Sequence, residues 1–78
     1  MKVSLIQMSV VPDKAANLAH ARALIAAAAE AGADIAVLPE MFCCEYRNRA
    51  FVENRESAGG PAWAMLSAAA AENGIYII

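Results

Sequence analysis

The chain has 78 residues and is 60% apolar, but 20 of its residues are alanine, which favours helix and buries little area. At this length a lone domain buries only about 60% of its unfolded surface, and the two cysteines, Cys43 and Cys44, are sequence neighbours, which seldom pair with each other. A net charge of −2, with basic residues scattered apart from Arg47, Arg49 and Arg55, excludes a polybasic nucleic-acid surface.

The first segment, Lys2 to Met8, is rich in β-branched and large apolar residues and stops at Val10-Val11-Pro12-Asp13, where proline and aspartate signal a turn. It reads as a buried strand. Ser4, Gln7 and Ser9 interrupt it, so no secretory leader is expected here, and no later run is long and apolar enough to span a bilayer. With free cysteines, a cytoplasmic protein with no membrane partner is expected.

From Asp13 to Glu30 the period becomes 3.6, with Leu18, Ala21, Leu24, Ile25 and Ala28 on one face, Asp13 able to cap the start and Gly32 following the end. This predicts one amphipathic helix of about five turns. Ala16, Ala19, Ala23 and Ala27 form another face, either helix-forming filler or a smooth surface for a second helix. His20 falls on the outside, where it is expected to be solvated.

Asp34-Ile35-Ala36-Val37-Leu38-Pro39 is a short apolar run closed by proline, as expected of a strand covered on both faces. Strand, helix and strand in that order make a βαβ unit with parallel strands and a right-handed crossover. Residues 41 to 60 are polar and irregular, with room for a helical turn around Ala50 to Asn54. A second clear helix starts at Pro61, carries Trp63, Leu66, Ala69 and Ala70 on one side, and ends at Asn73-Gly74. Ile75-Tyr76-Ile77-Ile78 opens a third strand. The sequence ends there without a turn or polar cap, as expected of the N-terminal piece of a longer α/β protein; a compact three-stranded miniature is the alternative.

In a parallel sheet, ligands gather outside the carboxyl ends of the strands. Glu40 falls at that edge, after the chain is stiffened by Pro39. A carboxylate between Pro39 and Met41-Phe42 is expected to be partly desolvated, which raises its pKa and improves it as a general base; a solvated loop glutamate is the competing account.

The stretch Gly32-Ala33-Asp34-Ile35-Ala36-Val37-Leu38-Pro39-Glu40-Met41-Phe42 resembles the segment around the first catalytic residue of the nitrilase superfamily, the carbon-nitrogen hydrolases. Lys2-Val3-Ser4-Leu5-Ile6-Gln7-Met8 is similar to that family's first strand, and Asn17 falls where the family often has asparagine. Cys43-Cys44-Glu45-Tyr46-Arg47-Asn48 with Phe51, Gly59-Gly60-Pro61, Leu66-Ser67 and Asn73-Gly74-Ile75-Tyr76-Ile77-Ile78 extend the resemblance over the whole chain, in the spacing of the ω-amidase-like branch.

The resemblance implies the N-terminal β-α-β-α-β portion of an αββα sandwich, with residues 1–78 part of a single domain of a commonly oligomeric hydrolase. It implies a small linear amide as substrate and a Glu-Lys-Cys triad without cofactor or metal. Only Glu40 falls on a triad position, as general base; the lysine and cysteine belong to later strands, so the chain alone is expected to be inactive. Lys2 starts the first strand at the wrong end of the sheet, and Lys14 reads as a solvated helix residue. Cys43 and Cys44 occupy a loop that in the family is not nucleophilic, and with the lone His20 they lack metal-ligand spacing.

Tyr46 and Arg47 lie in the loop expected to rim the pocket, where Tyr46 is a candidate substrate contact; water-facing loop residues are the simpler account. Glu45 stands where related sequences often have proline. Gly59-Gly60 matches no nucleotide fingerprint and reads as a helix-entry turn. Two other classes remain open: an association module pairing through its third strand or alanine face, and an unrelated α/β binding domain with a strand-end glutamate.

Overall fold

The computed structural model describes residues 1–46, 48–57 and 59–78, apart from the side chain of Phe51. The elements run β1 (Val3–Leu5), α1 (Lys14–Glu30), β2 (Ile35–Val37), α2 (Asn48–Glu53), α3 (Pro61–Asn73) and β3 (Tyr76–Ile77). All three strands are parallel with β2 central; Val3 pairs with Ile35 and Leu5 with Val37, while Ile35 pairs with Tyr76 and Ala36 with Ile77. The strands are shorter than the apolar runs that announce them. Sheet-like hydrogen bonding nevertheless continues past the strand ends, from Ile6 N to the Val37 carbonyl (2.8 Å) and from Leu38 N to the Ile78 carbonyl (2.9 Å).

The helix ends are set by local chemistry. Asp13 Oδ1 accepts from Ala15 N at 3.0 Å and Ala16 N at 3.3 Å, satisfying donors that the first turn leaves unpaired. After Ala31, Gly32 adopts φ +93°, and Ala33 N closes back on the Ala28 carbonyl at 3.0 Å. Helix α3 begins with Pro61 and ends on left-handed Gly74 (φ +60°).

Two crossovers of one hand that step the same way across a sheet place their helices on the same face. Accordingly α1 and α3 pack together, and the core comprises Ile6, Ala21, Ile25, Ala36, Met65, Ala69 and Ile75. Ala21, Ala36 and Ala69 are wholly inaccessible, so alanine serves here to let two helices and a sheet approach closely, not to supply area. Ala16, Ala19, Ala23 and Ala27 are all exposed, and no described helix packs on that face.

By alternation Ala36 and Ile77 face the helices, whereas Val3, Leu5 and Tyr76 on the opposite side are exposed among the described residues, and Ile35 and Val37 of β2 are half-buried there. Two expectations are corrected. Trp63 is 61% exposed, and the residues of α3 that enter the core are Met65 and Ala69. Trp63 and Ala70 border a groove beside β3, together with Leu66, which also packs against the core. The short helix between β2 and α3 starts at Asn48, earlier than the turn expected at Ala50.

Candidate active site

Glu40 is the second residue after Leu38, the last position of the β2 segment that is hydrogen-bonded to a neighbouring strand. The chain turns at once: Met41 has φ +58°, the left-handed region that non-glycine residues seldom enter, and residues 40–43 form a turn. Met41 is exposed, Phe42 folds back against the core, and Cys44 is buried. Glu40 itself is exposed, which fits the solvated-loop account of the two rather than partial desolvation.

The turn is held from inside by Asn17. Its side chain is 1% exposed and is the one buried polar residue among those described. Its Oδ1 accepts from Val11 N at 2.9 Å, and its Nδ2 donates to the carbonyls of Val11 and Cys43, each at 2.8 Å. One carboxamide thereby ties the loop after β1 to the loop after β2. The sequence did carry a signal for it, because Asn17 stands four residues before Ala21 and eight before Ile25, on the buried stripe of α1.

A second tie begins three residues earlier. Lys14 Nζ donates to the Asn54 carbonyl at 2.8 Å and pairs with the Glu56 carboxylate, their side chains being 20% and 15% exposed. The expected solvated helix lysine is therefore a half-buried, doubly engaged one. Glu56 also accepts from Ala62 N at 3.0 Å through each oxygen, capping α3 from the preceding loop. A Cβ at Gly60 would stand 2.6 Å from a Glu56 oxygen, which explains a glycine at this helix entry. The Lys14 hydrogen bond holds the Glu56 carboxyl below the usual carboxylate range, against partial burial and with help from the Ala62 and Trp63 backbone.

A cavity of about 520 Å³ opens between these loops, lined by Met41, Phe42, Cys43 and Cys44 on one side and Asn54, Arg55, Glu56 and Ala62 on the other. Glu40 lies outside this lining. Burial, and after it the negative charge of Glu56, push the Cys43 thiol up, with Lys14 pulling the other way. A raised thiol pKa is the reverse of what activates a nucleophile, so neither its environment nor its loop argues for catalysis by Cys43.

Tyr46 is 80% exposed at the far end of the same loop, and Arg47 lies outside the described residues. His20 is exposed on α1, and Lys2 is engaged at the opposite edge of the sheet, where its Nζ donates to the Ala31 carbonyl at 2.7 Å. Among the described residues no three His, Cys, Asp or Glu side chains gather as metal ligands, and no helix is long and apolar enough to cross a membrane.

The sequence is similar to that of known proteins over nearly its whole length. The chain is 44% identical over 77 residues to omega-amidase NIT2-A of Xenopus laevis, an alignment covering 99% of this chain and 28% of that protein. It is 38% identical over 77 residues to omega-amidase NIT2 of Mus musculus, again 99% of the chain and 28% of the relative. A plant relative, the chloroplastic omega-amidase of Arabidopsis thaliana, is 41% identical over 70 residues, 83% of this chain and 19% of that protein. The chain thus spans a little over a quarter of the length of the first two. The profile of the carbon-nitrogen hydrolases matches residues 2–78, from the start of β1 through the turn bearing Glu40 to the end of β3, and the chain belongs to that family.

Proposed function

We propose that residues 1–78 form the N-terminal part of a hydrolase that cleaves small linear amides, with Glu40 as the general base of a Glu-Lys-Cys triad. The observation that carries this reading is the position of Glu40. It is an exposed carboxylate two residues beyond the hydrogen-bonded end of the central parallel strand, at the sheet edge where ligands bind in α/β folds. The similarity to proteins named omega-amidases supports the substrate class.

The chemistry requires three groups. A thiol of pKa about 8.5 is mostly protonated at neutral pH, so a carboxylate must take its proton before sulfur attacks the amide carbon. The carbon–sulfur bond forms as the carbonyl electrons move to oxygen, and a lysine ammonium stabilises that negative charge. Collapse expels ammonia, with the glutamic acid returning the proton, and leaves a thioester. Glu40 then takes a proton from the water that cleaves the thioester and regenerates the thiol.

Lys14 is committed to Glu56 and Asn54, and the Cys43 thiol is pushed away from ionisation, so the triad lysine and cysteine are sought in the remaining length of such a hydrolase. The 78 residues alone are then inactive. The open sheet face bearing Val3, Leu5 and Tyr76 suits the second sheet of an αββα sandwich. Tyr46 reaches the bound amide from the loop rim, and the hydrolase is a cytoplasmic oligomer.

Ammonia release from a panel of small linear amides tests the reading. The full-length hydrolase is expected to turn over, and its Glu40→Gln variant to lose about 10²–10⁴-fold in kcat. Activity in the 78-residue chain, or full activity in the Glu40→Gln enzyme, would sink the assignment.

A further inference from the structure

We propose that Asn17 and Met41 are positioning residues that set the direction of the Glu40 carboxylate through the turn 40–43. The proposal rests on the reading of Glu40 as general base. Glu40 has a fixed strand on one side, through Leu38 N bonded to Ile78, and a tight turn on the other. That turn has two constraints. At its start, Met41 holds φ +58°, an arrangement that costs a non-glycine residue energy and persists only where the surroundings impose it. At its end, the Cys43 carbonyl is gripped at 2.8 Å by Nδ2 of a side chain that is itself buried and bonded on both sides of its amide to Val11.

The carboxamide has no slack. Val11 takes its acceptor and one donor, Cys43 takes donation from the same nitrogen, and the helix behind it is fixed by Ala21 and Ile25 in the core. A shift of the turn would break a part-buried hydrogen bond made by a buried side chain. The exposed carboxylate therefore inherits its placement from a buried amide rather than from contacts of its own. A general base misplaced by about 1 Å loses on the order of 10²-fold in rate. The loss falls on the chemical step and not on substrate binding.

The experiment is steady-state ammonia release by the full-length hydrolase as Asn17→Ser, Met41→Gly, Glu40→Gln and the two corresponding double variants, each verified as folded by circular dichroism. Asn17→Ser removes the grip on Cys43; Met41→Gly frees the start of the turn at an exposed position, and it decides the outcome if Asn17→Ser does not fold. Expected is a kcat lowered about 10–100-fold for Asn17→Ser and several-fold for Met41→Gly, with KM within two-fold of the parent. In the Glu40→Gln background both effects are expected to vanish, because there is no longer a base to misplace.

Equal losses in both backgrounds would show a merely structural role and overturn the proposal. Parent-like kcat in both folded single variants, with Glu40→Gln inactive, would overturn it while leaving the Glu40 reading intact. A fully active Glu40→Gln enzyme overturns that reading, and the proposal with it.

Discussion

The Lys14 ammonium and the Glu56 carboxylate meet across the cleft between the first turn of α1 and the loop before α3, each largely removed from solvent. Glu56 spends its remaining capacity on the Ala62 amide, so one carboxylate both neutralises a half-buried lysine and caps a helix. Replacing it with alanine leaves an ammonium short of its counter-charge and a helix N-terminus without its acceptor. The expected loss is about 1–3 kcal/mol of unfolding free energy, measured by urea denaturation. Glu56→Gln keeps an acceptor for Ala62 and is expected to lose less.

The same pair predicts an acid limit. Lys14 lowers the folded-state pKa of Glu56, so the folded protein binds that proton less readily than the unfolded chain. The contribution is complete above the ordinary carboxylate value of about 4.3 and is lost as pH falls through the lower folded value. Urea midpoints of the parent and of Glu56→Gln should therefore differ by a constant amount above about pH 5 and converge in stronger acid. A difference that grew on acidification would contradict the pairing.

What was legible in the sequence follows the range of the interactions. Asp13, Gly32, Pro61 and Gly74 act on their own helix ends, and each stands where its residue type alone places a boundary. The parallel order followed from strand–helix–strand alternation. Lys14 was misread because its partners lie 40 and 42 positions on, in an irregular loop where no period connects them. Trp63 was misread because α3 is alanine on most sides, so its pattern has little contrast to distinguish an inner from an outer face. Glu40 was readable as an edge residue, but the left-handed conformation of Met41 beside it was not, because it leaves no trace in a residue type that rarely adopts it.

Cys43 offers a chemical probe of the loop. Burial first, and Glu56 second, raise its thiol pKa, so less thiolate is present at neutral pH than in an exposed cysteine. Alkylation by iodoacetamide, followed on the Cys43 peptide by mass spectrometry, should be slower at pH 7 than for a free cysteine and should climb at more alkaline pH than a free cysteine does. Because the folded form holds this proton more tightly, the linked stability is present below the unfolded thiol value and declines at more alkaline pH. Glu56→Gln removes a negative neighbour and should shift the alkylation curve toward lower pH.

The two helix caps separate local from tertiary stabilisation. Asp13 sits ahead of α1 with its carboxylate on Ala15 and Ala16, and Asp13→Ala removes an acceptor without opening a cavity, for an expected cost of about 1 kcal/mol. Gly74 terminates α3 at φ +60° with open space where a Cβ would stand, so Gly74→Ala meets no neighbour and pays only the left-handed backbone penalty, about 1–2 kcal/mol. The two positions share no hydrogen-bond partner, and the losses should add in the double variant within about 0.5 kcal/mol by urea denaturation. A double variant markedly less stable than that sum would mean that α1 and α3, which share the core through Ala21 and Ala69, also depend on each other's ends.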